Sequence, residues 1–161
     1  MLITAFIFGT LSAFFAVIFE IITLDLSYIH DYSSVTLAFS SLVLLMAIAL
    51  IEESAKYLFL RQYLLRSFET ITLTLKQSLA LGLGFGFGFS ALEATIILSG
   101  SLETNSVHGL ISIFLVHILT TFILIAFLRY PHKRRVAAFF LPLFLAILVH
   151  FSYDAFVSLA L

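Results

Sequence analysis

The ten residues LIEESAKYLF, Leu50 to Phe59, set two adjacent carboxylates and an ammonium, Glu52, Glu53 and Lys56, inside an otherwise apolar run. Glu52 and Lys56 are i and i+4, and Glu53 and Lys56 are i and i+3, so on a helix the lysine neutralises one carboxylate and leaves the other for chemistry. Further along stand Glu93, His117 and the pair His150 and Asp154. The last two are again i and i+4, the spacing at which a carboxylate orients an imidazole or shares a ligand with it. There is no cysteine, which excludes disulfides, thiolate catalysis and cysteine-held metals. The chemistry must come from oxygen and imidazole. Two histidines and a carboxylate make an open site that suits zinc and leaves a position for water, while a further glutamate takes the water's proton. On that reading Glu93, His117 and His150 are the metal ligands. The base is Glu52 or Glu53, whichever is not paired with Lys56. A metal-free variant has a glutamate and a histidine activate water directly, with His150 and Asp154 stabilising the oxyanion. The residues leave both open.

These groups need elements that hold them in an unusual solvent. Of 161 residues 62% are hydrophobic and 11% charged, and the mean hydropathy is +1.19, which excludes a water-soluble domain. The net charge of -1 offers no basic field for nucleic acid. The chain reads as an all-α, multi-pass membrane bundle, one domain over 1–161, in a lipid bilayer. Five runs are long enough to span about 30 Å of hydrocarbon: about 2–24, 35–60, 78–99, 109–128 and 136–161. Leu2 to Phe19 lacks a basic start and a small-residue cleavage site, so it reads as a retained helix rather than a signal peptide.

Lysine and arginine counts orient the bundle. The connectors 25–34 and 100–108 have none, whereas 61–77 holds Arg61, Arg66 and Lys76, and 129–135 holds Arg129, Lys133, Arg134 and Arg135. This places the N-terminus in the cytoplasm and the C-terminus outside, with Tyr63 and Tyr130 expected at the inner interface and Tyr28, Tyr32 and Tyr153 nearer the outer one. A carboxylate at mid-bilayer costs roughly 2.5–3.5 kcal/mol, so Glu52, Glu53, Glu93 and Asp154 should face the bundle interior. At about 1.5 Å per residue, Glu93, His117 and His150 count to one layer in the outer half. Glu52 and Glu53 count deeper, and join that layer only if their helix starts later or tilts and protrudes. Lys56 can also snorkel to the interface, and Glu20 reads as interfacial.

The glycines of GLGFGFGF fall in two G-x-x-x-G pairs, Gly82 with Gly86 and Gly84 with Gly88, on nearly opposite faces. The third helix should therefore approach neighbours closely on two sides. No G-K-[ST] follows, which excludes a phosphate loop. Pro142 should break one backbone hydrogen bond about two turns before His150.

EESAK matches E-E-x-x-K, FSALE matches F-x-x-x-E, His117 follows in the next span, and HFSYD supplies H-x-x-x-D. In that order, one per span, they resemble the PrsW family of intramembrane proteases, relatives of the CAAX-processing and bacteriocin-processing enzymes. The resemblance implies an endopeptidase, a metalloprotease, cutting a membrane protein or membrane-associated peptide, with the paired glutamates and two histidines essential. The other readings are a proton or ion relay through the buried Glu and His residues, and an inactive relative that binds membrane partners. The absence of inverted repeats weighs against the relay.

Overall fold

The computed structural model describes residues 1–23, 34–68, 71–99, 107–130 and 140–160, and among these every regular element is a helix. They are α1 (Leu2–Thr23), α2 (Ser34–Ser67), α3 (Leu75–Ser99), α4 (Val107–Leu128) and α5 (Phe140–Ala160). Helices are the expected answer where lipid cannot satisfy backbone groups. Their outer faces are correspondingly apolar: Ile3, Phe140 and Phe156 are each over 70% exposed, a surface suited to acyl chains and not to water. The chain is a multi-pass membrane protein. Helices α1, α3, α4 and α5 are each long and apolar enough to cross on their own. Helix α2 is the longest at 34 residues and carries the charged groups Glu52, Glu53 and Lys56.

Two boundaries differ from expectation for identifiable reasons. Helix α3 starts at Leu75 rather than Ser78 because Thr74, Leu75, Lys76 and Gln77 form a capping box. The Gln77 amide donates to Thr74 Oγ1 at 3.3 Å, and the Thr74 amide to Gln77 Oε1 at 2.9 Å. Helix α2 runs past Leu60 to Ser67, so its length is about 51 Å. That exceeds the hydrocarbon core. Glu52 and Glu53 of this long helix lie in the layer of the histidines, 3.4 Å and 2.8 Å from His150. Pro142 lies at the start of α5 as bounded.

Helix α1 packs on α2 and α3, α4 on α3 and α5, and α5 on α2, closing a ring that α2 and α4 bridge across the middle. The two glycine faces work as the spacing implies. A Cβ on Gly86 would sit 2.8 Å from Ile118 Cα of α4, and one on Gly82 would strike the Phe122 ring. On the other face, a Cβ on Gly84 would sit 2.7 Å from the Leu2 carbonyl oxygen of α1, and one on Gly88 would fall on the Phe6 carbonyl. Helix α1 answers with its own small residues: Ala5, Gly9, Ser12, Ala13 and Ala16 are buried. Thr10 Oγ1 also donates across to the Gly88 carbonyl at 3.0 Å.

One half of the ring is filled. Leu60, Leu64, Leu81, Phe85, Leu124 and Leu128 belong to one buried cluster, at the end where the Leu73 amide donates to the Arg129 carbonyl at 3.0 Å. Tyr63 belongs to this plug, 4% exposed and edge-on to Phe8 and Phe68. Its ring is thus packed among aromatics inside the bundle rather than turned to lipid. Tyr28 and Tyr32 lie outside the described residues.

Candidate active site

Above the plug, all four expected motifs meet. From α2, Glu53 and Lys56 are fully buried and Glu52 nearly so. Lys56 does not snorkel. Its Nζ donates to Glu53 Oε1 at 2.6 Å, to His117 Nδ1 at 2.6 Å and to Thr120 Oγ1 at 3.2 Å, and lies 4.3 Å from the Phe89 ring centroid. An ammonium has three N–H donors, and all three are used. The burial is tolerable because the charge is paired and every donor is satisfied.

Those bonds decide which nitrogens of the histidines carry protons. Lys56 is donor-only, so His117 Nδ1 accepts, and His117 Nε2 donates to Glu93 Oε2. On α5, His150 Nδ1 is 2.8 Å from Glu53 Oε1, an acceptor already shared with Lys56. His150 Nδ1 is therefore the protonated nitrogen, and His150 Nε2 presents its lone pair. That nitrogen faces Glu52 Oε2 at 3.4 Å and Asp154 Oδ2 at 3.6 Å. The two imidazoles lie 4.9 Å apart, centroid to centroid, at 87°.

Glu53, the carboxylate paired with Lys56, thus braces His150 from behind. Glu52 has a buried Oε2 with no hydrogen-bond partner, and Glu53 Oε2 shares that condition. Orphaned carboxylate oxygens in a low-dielectric interior are costly unless a cation or water reaches them. Glu52, His117 and His150 offer ligand atoms within 4.8 Å of one another. Two imidazoles and a carboxylate are a recognised catalytic zinc set, and the Glu53–His150 contact is the carboxylate-to-imidazole bracing such ligands use. The donor set fits a divalent ion. Glu52 and His150 are ready as they stand, whereas His117 has its lone pair on Lys56 and its ring proton on Glu93, and would have to release Lys56 or move that proton to offer a nitrogen.

Side-chain exposure grades outward, from Glu53 and His117 at 0% through Asp154 at 18% to Glu93 at 27%. The Glu93 and Asp154 side is thus the less enclosed one, opposite the apolar plug. The Tyr153 hydroxyl lies 2.6 Å from Ser112 Oγ and ties α5 to α4.

Three contributors were not read from the sequence. Phe89 stacks on His117 at 4.7 Å between centroids while carrying Lys56, which gives the aromatic of F-x-x-x-E a task. Thr120 takes the third lysine proton, and its signal was a polar residue three positions after His117 in an apolar run. Glu20 of α1, expected at the interface, lies within electrostatic reach of Glu93, His150 and Asp154 and buries its Oε1 without a hydrogen-bond partner.

Comparison with known families agrees with the motifs. The family model described as PrsW family intramembrane metalloprotease matches residues 1–161, the whole chain. No curated protein and no solved structure matches the chain.

Proposed function

Because this chain belongs to the PrsW family of intramembrane metalloproteases, we propose that it hydrolyses a peptide bond of a membrane protein or membrane-associated peptide in the layer of Glu52, His117 and His150. The observation that carries this reading is Glu52: a buried carboxylate without a hydrogen bond at Oε2, facing Nε2 of a braced histidine.

In this reading Glu52, His117 and His150 would hold the metal, with zinc favoured by the donor types. A divalent ion there supplies Lewis acidity toward the scissile carbonyl and toward a water. The chain's own residues do the rest. Glu53 and Lys56 keep His150 and His117 oriented. Glu93, the most exposed of these carboxylates, takes the water's proton once it leaves His117, and passes it to the departing amine. Asp154, beside His150 Nε2, adds a second carboxylate at that ligand nitrogen and favours positive charge there. This exchanges the roles that spacing alone suggested for Glu52 and Glu93. The reason is that Glu93 is already on His117 and partly exposed, whereas Glu52 is enclosed. The apolar plug on one side keeps water to the other, so the substrate's scissile segment meets water only where it is being cut.

Purified protein in liposomes with a single-span reporter tests the reading. Wild type should cleave, and Glu52→Gln and His150→Ala should each lose cleavage while remaining folded. Elemental analysis should find about one divalent ion per chain, lost in His150→Ala. Full turnover in Glu52→Gln would sink the reading. Proton flux in empty liposomes that Glu93→Gln abolishes, without proteolysis, would favour a relay instead.

A further inference from the structure

The acidic groups of the site are not equally provided with partners. Glu53 has Lys56, Glu93 has His117, and Glu52 and Asp154 both face His150. Glu20 makes no such close contact among the described residues. Its Oε1 is buried without a hydrogen bond, and the groups within its electrostatic reach are His150 and two more carboxylates, Glu93 and Asp154. Glu52, nine-tenths buried with no hydrogen bond at Oε2, lies within electrostatic reach of Glu20 as well.

The sequence supplies no remedy from within. Of eight lysines and arginines, Arg61, Arg66, Lys76 and Arg129 lie toward the plugged end, Lys133, Arg134 and Arg135 follow Arg129 closely in the sequence, and the eighth is Lys56, whose three donors are used. In the sequence, neither 24–33 nor 100–108 contains a lysine or arginine, while they add Asp25, Asp31 and Glu103. A half-buried carboxylate in such surroundings is a strong receiver for a positive charge brought by something else.

We propose that Glu20 is a substrate-recognition residue, its carboxylate receiving a lysine or arginine of the substrate on the side of the scissile bond that faces the Thr23 end of α1. This rests on the proteolytic reading above and extends it to the class of substrate: membrane-spanning or membrane-associated chains with a basic residue close to the cut. A guanidinium or ammonium there would meet Glu20 with Glu93 and Asp154 nearby, and would leave as the product leaves. The residue comes from α1, outside the four motifs of α2 to α5.

The experiment compares three single-span reporters that differ at one position near the cut, carrying lysine, alanine or glutamate. Wild type should show a KM for the lysine reporter roughly tenfold below that for alanine, with glutamate worst, as expected for one partly screened charge pair. Glu20→Gln should erase the lysine preference, Glu20→Asp should keep part of it, and Glu20→Lys should shift the preference to the glutamate reporter. The same peptides, titrated by fluorescence anisotropy against Glu52→Gln protein with and without Glu20→Gln, read recognition without turnover. A lysine preference of equal size with and without Glu20→Gln, or no preference in wild type, overturns the proposal. Absence of cleavage with the preference intact in the binding arm would instead overturn the proteolytic reading and leave Glu20 as a cation receiver.

Discussion

At the scale of single residues, adjacent glutamates of the same motif carry opposite burdens. Glu53 is a structural counter-ion, bonded to Lys56 and His150 with no exposure. Removing one partner of a buried pair leaves the other charge stranded, at about 3–5 kcal/mol. Glu53→Gln should therefore lower the melting temperature in detergent markedly as well as abolish cleavage. Glu52 has little to lose, because its Oε2 makes no hydrogen bond and its neighbours include other carboxylates. Glu52→Gln should leave the melting temperature unchanged or raised while cleavage is lost, the usual sign of a site that trades stability for function. Thermal melts of the two variants side by side decide this; a Glu52→Gln protein as unstable as Glu53→Gln would refute the division of roles. Lys56 follows the same logic. Lys56→Met should free Glu53 and loosen His117, and a variant with full turnover would remove the lysine from the positioning of the histidines.

At the scale of elements, the site is held by close backbone approach on both sides of α3. In lipid there is little hydrophobic gain from helix association, so van der Waals contact between small residues carries more of the packing. Gly86 meets Ile118, and His117 is the residue just before it on α4, so the glycine contact sets the position of the histidine as well as the helix. Gly86→Leu should separate α3 from α4, at about 1–3 kcal/mol for overpacking, and cut cleavage more than it lowers the melting temperature. Gly88→Leu, which strikes α1, should cost similar stability but disturb His117 less. Equal loss of activity in both would show that the bundle responds as a whole and not face by face. The small-residue stripe of α1, the capping box at Thr74 and the long C-terminal extension of α2 are element-level features with sequence signals of their own. Each was legible in principle: small residues at i, i+4 and i+8, a T-x-x-Q, and a run of helix formers after Leu60.

For the whole molecule, the plug and the charge distribution agree on one direction. The end bearing Arg61, Arg66, Lys76 and Arg129 is closed by the apolar cluster, and the lysine-free end is where Glu93 and Asp154 are exposed. The positive-inside rule predicts that the open end faces out. Cysteines placed at Ser33 and Thr104 should accordingly label from outside, and one at Thr70 only after permeabilisation; outside labelling at Thr70 would invert the bundle. Mass spectrometry of the products from a reporter of known topology should place the cut near the outer interface, where a substrate helix unwinds without stranding many peptide groups in lipid.

What the sequence determined by itself was the solvent, the helices and the list of reacting groups. Composition demands a bilayer, a bilayer demands helices, and charged residues in such helices are too costly to be incidental. The pairing of Lys56 with one glutamate at helical spacing was legible too. Which glutamate was not, since i+3 and i+4 both reach and only the position of His150, 97 residues away, selects Glu53. Tertiary packing alone decided that His117 is held from both sides by Lys56 and Glu93, that Glu20 joins the site from α1, and that Glu52 is left without a hydrogen bond at Oε2. The physical reason is that spacing along a helix reports only neighbours on that helix. Partners across the ring depend on how far each helix slides and turns, and here close glycine contacts constrain those two quantities.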